Sequence, residues 1–476
     1  MATTPMTTVV IRNADVGGRL VDMHVAGDRI QRIGRLDVAR IRRGLGRAPY
    51  AEFDALGAAV IPGLHDHHIH LMALAADRQS VRVGPPEVSS HHEFYTVLRA
   101  AAATTDWVRA SGYHESVAGP LDRHVLDNIV RDVPVRVMHR SGAMWIMNSL
   151  AMQRADIAHL DHPGVVRTES GELTGELIRC DEALVGRVPA TLIDLRSVAS
   201  ELARYGVTGV TDLTPTVNPE AYRPLADAVR SGSFDLDVMI TGAVDLPGDA
   251  VPELTRGPAK IVIGDHELPS IDDLAASMQR AHNVGRPVAV HCVTREALVL
   301  ALAAWADTGA INGDRIEHGA VIPVELFASI KELGLTVVTQ PSFIVERGDT
   351  YLAEVPIDDH DDLWRCGTLV AAGVPVAGST DAPFGHPDPW RAMNSAVTRM
   401  TANGAVLGAG ERVSRTSAMK MFLTWPDTPG GAARSLAIGG RADLVILDAP
   451  LKDVLGDLCS DHVLTTVAAG KVAWPR

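Results

Sequence analysis

Eight short runs rich in β-branched residues, at 59–70, 133–139, 207–213, 260–264, 288–293, 315–320, 335–340 and 374–381, alternate with Ala/Leu-rich segments of helical character. A β/α alternation of this kind calls for a parallel sheet with right-handed crossovers, which a closed barrel and a doubly wound sheet both satisfy. Eight is the number a closed barrel requires. The expectation is an α/β fold, a TIM-type (β/α)8 barrel over residues 61–425. The segment 271–284, followed by Gly285 and Pro287, carries helix stop signals before the next strand. The connections after His70 and His139 exceed ordinary loop length and are expected to carry helices that build a lid or a substrate wall.

Both ends of the chain read as β-rich, at 8–13 and 24–33 and again at 442–448 and 463–474, broken by Gly or Asp turns. Such strands cannot bury a core alone. Because they bracket everything else, residues 1–60 and 426–476 are expected to pair into one small β-sandwich.

Composition narrows the partners. A formal net charge of −14 argues against nucleic acid and against an anionic membrane surface. No stretch approaches the roughly 18 apolar residues of a spanning helix, and the first ten residues lack a basic start followed by an apolar run. The cysteines Cys180, Cys292, Cys366 and Cys459 have no CxxC spacing, which disfavours a disulfide framework or a cysteine zinc site. A cytoplasmic protein acting on a small molecule is expected, compatible with a homodimer. Aromatic residues are scarce, at 4%, so Tyr113, Trp145, Phe343 and Phe384 are candidate substrate contacts, with core packing an equal alternative for each.

The chemistry concentrates in Pro62-Gly63-Leu64-His65-Asp66-His67-His68-Ile69-His70, where a strand ends in a cluster of imidazoles. Alternation puts Asp66, His68 and His70 on one side and His65 and His67 on the other. Two imidazoles two residues apart at a strand's C-terminal end suit a metal at a barrel mouth, although an isolated HxH pair also suits packing or a surface. Later strands contribute Lys260, His291, His318 and Asp381, all of metal-ligand type, and barrel strand ends converge.

These segments, PGLHDHHIH at 62–70, GVTGVTD at 206–212, RIEH at 315–318, GSTDAPFGHPDPW at 378–390 and RADLVILD at 441–448, resemble the amidohydrolase superfamily, in its branch of YtcJ-like proteins and N-substituted formamide deformylases. The resemblance implies a metal-dependent hydrolase of a linear or N-substituted amide. The nearest alternatives are a cyclic-amide hydrolase of hydantoinase or dihydroorotase type and a non-catalytic barrel homologue without metal. Lys260 resembles the lysine that is carboxylated in hydantoinase relatives. By that likeness His68, His70, Lys260 and Asp381 would hold one Zn2+ while Lys260, His291 and His318 hold a second. A free lysine would repel zinc, whereas its carbamate is an anion with two oxygen ligands. Asp381 is expected to orient the hydrolytic hydroxide and carry its proton to the leaving nitrogen. Glu317 points, by alternation, away from the face of His318 and is expected to be structural or to support a ligand from behind, not to be catalytic. Asp66 and Asp212 are expected to tie strands and ligands together.

Overall fold

In the computed structural model, which describes residues 8–45, 48–247, 251–264 and 268–475, the first run is two strands rather than one. Most of the first ten residues, read above for a basic start and an apolar run, lie outside the described ones, which begin at residue 8. Val60–Pro62 pairs antiparallel with Leu444–Leu447, and after Gly63 the strand Leu64–Ile69 (β1) pairs in parallel with Val207–Asp212 (β2). The switch needs glycine, because a Cβ at Gly63 would lie 2.2 Å from the Thr208 hydroxyl oxygen.

Six further parallel strands follow: β3 (Asp237–Ile240), β4 (Ala259–Val262), β5 (Val288–Cys292), β6 (Arg315–His318), β7 (Thr336–Thr339) and β8 (Val376–Gly378). One arc runs β3-β2-β1 with Thr255–Arg256 at its edge, and the other runs β4 to β8 in sequence order. Backbone hydrogen bonds join the arcs at both sides. Lys260 N–H donates to the Gly242 carbonyl at 2.8 Å, and Asp381 N–H donates to that of His68 at 2.8 Å. The strand at Asp237–Ile240 was not among the eight expected runs, since four residues beginning with aspartate carry little β signal. The run at 133–139 forms a strand, Val135–His139, but in a different sheet.

The helices between strands follow from local sequence. Arg295–Thr308 starts where the Thr294 hydroxyl accepts from Ala297 N–H at 3.1 Å and stops at Gly309, whose φ of +73° suits glycine. Its buried Ala297, Leu298, Ala301, Leu302 and Trp305 recur at helical spacing. Truncating Leu298 to alanine there would cost about 2–5 kcal/mol. Ile271–His282 forms within the expected helix, capped by Ser270.

The terminal strands form two four-stranded sheets. Thr8–Val16 is flanked by Arg19–Ala26 and Tyr50–Asp54, with Arg29–Gly34 outside; Leu444–Leu447 lies between Val60–Pro62 and Val463–Ala468, with Lys471–Pro475 outside. Val9, Ile11, Met23, Val25 and Ile30 from the first sheet share one apolar cluster with Val60, Leu444, Ile446 and Val467 from the second.

The chain divides into two compact units, Met1–Leu71 with Leu195–Arg476, and Met72–Asp194. The second, which the long excursion after His70 encodes, carries a six-stranded sheet of its own. Within it Tyr113 is fully buried and its hydroxyl donates to the Gly119 carbonyl, while Trp145 donates to Asp181 at 2.9 Å beneath the guanidiniums of Arg109 and Arg136. Both side chains pack in that unit's apolar clusters. Among the described residues no helix is long and apolar enough to cross a membrane.

Candidate metal centre

Every residue of β1 is buried, and alternation sorts its side chains. His65 Nε2 meets the Thr211 hydroxyl at 2.9 Å and His67 Nε2 that of Thr424 at 2.9 Å. On the other side Asp66 accepts from the Thr380 hydroxyl, from Thr380 N–H at 3.1 Å and from His68 N–H at 3.2 Å. Asp66 thereby ties β1 to the chain just after β8, and burial pushes its carboxyl up to about 7. Asp212, at the end of β2, accepts from Leu71 N–H at 2.8 Å and Thr214 N–H at 3.0 Å, a second tie of the same kind.

His68 and His70 converge on Asp381, whose Oδ1 lies 3.5 Å from His68 Nε2 and 3.3 Å from His70 Nε2. A tetrahedral zinc with ligands at 2.0–2.1 Å separates those ligands by about 3.3–3.4 Å. The spacing therefore fits a shared cation. Ligating atoms of His68, His318 and Asp381 all lie within 4.8 Å of one another. His68 Nε2 and Asp381 Oδ1 are buried with no hydrogen-bond partner among the described residues, an arrangement that is unfavourable without a further ligand. Burial would push the Asp381 carboxyl up, but its contacts with the imidazoles of His68, His70 and His318 hold it well below its usual range. Burial, reinforced by the Lys260 ammonium, pushes the His68 imidazole down, which favours the neutral form a metal needs.

Two groups orient these imidazoles. Glu317 Oε2 accepts from His68 Nδ1 at 2.6 Å, and its other oxygen pairs with Arg315 Nε at 2.6 Å. The bond assigns the proton to Nδ1 and leaves Nε2 as the ligating atom. Gln340 Oε1 does the same for His318 Nδ1 at 2.8 Å, and its amide donates to the Ser379 hydroxyl at 2.8 Å. Glu317 thus faces the same centre as His318 instead of the opposite side, and strand alternation misassigns it for a definite reason. His318 has a φ of +69°, so regular β geometry ends at this residue. Asp381 is also left-handed, at +56°. Non-glycine residues in that region persist only where surrounding bonds determine them, and they concentrate at functional sites. Gln340 was missed altogether, because a glutamine at a strand end is not of metal-ligand type. Its only signal is position, directly after β7.

Lys260, on β4, is 5% exposed, and its Nζ has no hydrogen-bond partner among the described residues. Burial pulls its ammonium below the usual range against the opposing pull of Glu317 and Asp381. His291 sits one strand over, in register with Val262 of β4 and Glu317 of β6, and its ring centroid is 4.5 Å from that of His318. His318 is in turn 4.7 Å from His68. The centre brings together imidazoles, an amine and a carboxylate from five separated segments. Phe384 lies beside it, ring centroid 5.4 Å from His70. Phe343 is buried edge-on to Trp364 in an apolar cluster that also includes Phe384. Asp388 caps the helix Pro389–Thr398 and accepts from Ser460, a structural task.

A family model described as the amidohydrolase family matches residues 51–473. The chain is 27% identical over 549 aligned positions to the N-substituted formamide deformylase of Arthrobacter pascens, covering 99% of each. It is 24% identical over 470 positions to YtcJ of Bacillus subtilis (strain 168), covering 85% of this chain and 88% of that one. Its fold is similar to that of an uncharacterized metal-dependent hydrolase from Pyrococcus horikoshii, with a TM-score of 0.72, 19% identity, and coverage of 93% of this chain and 97% of the other.

Proposed function

The chain belongs to the amidohydrolase family, and on that premise we propose that it hydrolyses the C–N bond of a linear or N-substituted amide with divalent metal held by His68, His70, Lys260, His291, His318 and Asp381. We read the eight parallel strands and the bonds that join their two arcs as a closed (β/α)8 barrel over 61–425, and the paired terminal sheets as a β-sandwich of 1–60 with 426–476. The observation that carries the functional reading is the orphaned trio of buried atoms, His68 Nε2, Asp381 Oδ1 and Lys260 Nζ.

The donor set suits two zinc ions. His68, His70 and Asp381 would hold one, His291 and His318 the other, and Lys260, carboxylated on its partnerless Nζ, would serve both. Such a pair supplies hydroxide at neutral pH and stabilises negative charge on a carbonyl oxygen. The residues themselves do the rest. Glu317 and Gln340 hold the tautomers of His68 and His318. Asp381, beside three imidazoles, accepts the proton of the attacking water and delivers it to the amide nitrogen as the C–N bond breaks, giving a carboxylic acid and an amine.

Elemental analysis of the purified protein, with activity screening on formamides, N-acyl amino acids and cyclic ureides, tests this reading. Metal is expected at up to two equivalents, with turnover of open-chain amides. Metal-free protein that cannot be reconstituted would defeat it, and turnover of cyclic ureides alone would favour the hydantoinase-type alternative. Lys260→Ala should lower the metal content, with partial restoration by a short carboxylic acid; an unchanged metal count excludes the bridging role.

A further inference from the structure

A cleft of about 430 Å³ opens past the C-terminal ends of β5 and β6, and nothing in the hydrolytic reading uses it. Its apolar wall consists of Val293, Val321, Tyr351, Val355, Leu363 and Trp364. Val293 follows His291 by two residues, and Val321 follows His318 by three, so the cleft continues the strands that carry two ligand-type imidazoles.

The wall is rigidly built. Val321 bridges to Leu363, and Trp364 N–H donates to the Ala320 carbonyl at 2.8 Å. Trp364 has a φ of +50°, a conformation rare for a bulky residue, and the buried Arg399 guanidinium secures it by donating to the carbonyls of Trp364 at 2.7 Å, Leu363 at 2.8 Å and Leu407 at 2.9 Å. The Trp364 indole stands perpendicular to Phe343 at 5.0 Å, and Tyr351 lies 6.2 Å from it. Its Nε1 is buried without an acceptor among the described residues. The same apolar cluster is packed by Phe384, whose ring centroid is 5.4 Å from that of His70, so one continuous set of packed apolar side chains lies between the candidate metal centre and the wall of the cleft.

Charge narrows what enters. Arg295 is the cation among the lining residues, and it is already paired with Asp359 and with Asp362 at 3.1 Å. Glu296 and Asp359 add negative charge to the lining. A ligand carboxylate would meet net repulsion, while an uncharged apolar group would find aromatic and branched aliphatic surface.

We propose that this cleft receives the uncharged branched or aromatic substituent of the substrate amide and excludes substrates that carry a carboxylate there, with Tyr351, Val321 and Trp364 setting the preference. The identity of the bond cleaved rests on the hydrolase reading above; the affinity of the cleft does not.

The test uses N-methylformamide, N-isobutylformamide, N-(2-phenylethyl)formamide and N-formylphenylalanine, the last two differing by a carboxylate. For the native protein kcat/KM is expected to rise about fourfold per buried methylene and to fall at least about tenfold when the carboxylate is added. Calorimetric titration of N-(2-phenylethyl)formamide into chelator-treated protein gives a Kd without turnover. Val321→Trp and, separately, Val355→Trp, checked for folding by thermal unfolding, should each weaken that Kd at least about tenfold. Hydrolysis insensitive to substituent size, or equal acceptance of the carboxylate, overturns the proposal without any variant, as does an unchanged Kd in folded variants. Tight binding lost in the variants but with no hydrolysis of any amide would instead sink the hydrolase reading and leave the cleft standing.

Discussion

The strand β1 and the residue that follows it hold four histidines within six positions, and the two pairs meet opposite fates. His65 and His67 point to one side and their Nε2 atoms are taken up by Thr211 and Thr424. His68 and His70 point to the other and converge on a carboxylate. Burial alone does not separate the pairs, since it pushes His65, His67 and His68 all below the usual imidazole range. What separates them is company. His67, whose Nδ1 is also without a hydrogen-bond partner among the described residues, has the guanidiniums of Arg315 and Arg434 as its leading electrostatic neighbours and Glu317 after them, whereas His68 has the Lys260 amine and the Asp381 carboxylate in front and is fixed by Glu317 behind. A buried histidine becomes a ligand candidate when its outward nitrogen is left without a partner beside negative charge and its inward nitrogen is fixed.

The contrast can be broken most severely at Asp381. Asp381→Asn keeps size but removes the proton acceptor, so kcat should fall about 10²–10⁴-fold while the thermal unfolding midpoint changes little; near-native kcat would show that the carboxylate does not move the proton. A smaller loss is expected from Gln340→Leu, which deletes the acceptor that fixes His318. Metal affinity, followed by competition with a chelator, should drop about 10–100-fold, and an unaltered affinity would mean that Gln340 does not orient its imidazole. The mildest effect belongs to the other face. Thr424→Val removes the partner of His67 Nε2 and should cost about 1–3 kcal/mol of stability in denaturant unfolding, with metal content and kcat retained. Loss of metal in that variant would erase the distinction between the two pairs.

Much of this centre is legible from residue order. The β1 motif announces His68 and His70 because alternation at a strand end is a local property, and Asp381 is announced by its own segment. Lys260, His291 and His318 become meaningful only when strand ends are imagined to converge. Glu317 and Gln340 escape for different reasons: the left-handed turn at His318 defeats the alternation that would assign Glu317, and Gln340 acts solely through a hydrogen bond across strands. At the level of fold, β3 is too short and too polar at its start to register. The strand Val135–His139 has the right local pattern but pairs in another sheet, and pairing partners are not written in a strand's own residues.

The shared apolar cluster of the terminal sheets carries a consequence for biosynthesis. Val9, Ile11 and Met23 leave the ribosome long before Leu444, Ile446 and Val467, which complete their burial. At ~5–20 residues per second the interval is about 20–80 s. Throughout it the apolar faces and edges of the N-terminal strands lack the partners that bury them in the finished fold, and a premature stop before residue 444 removes those partners altogether.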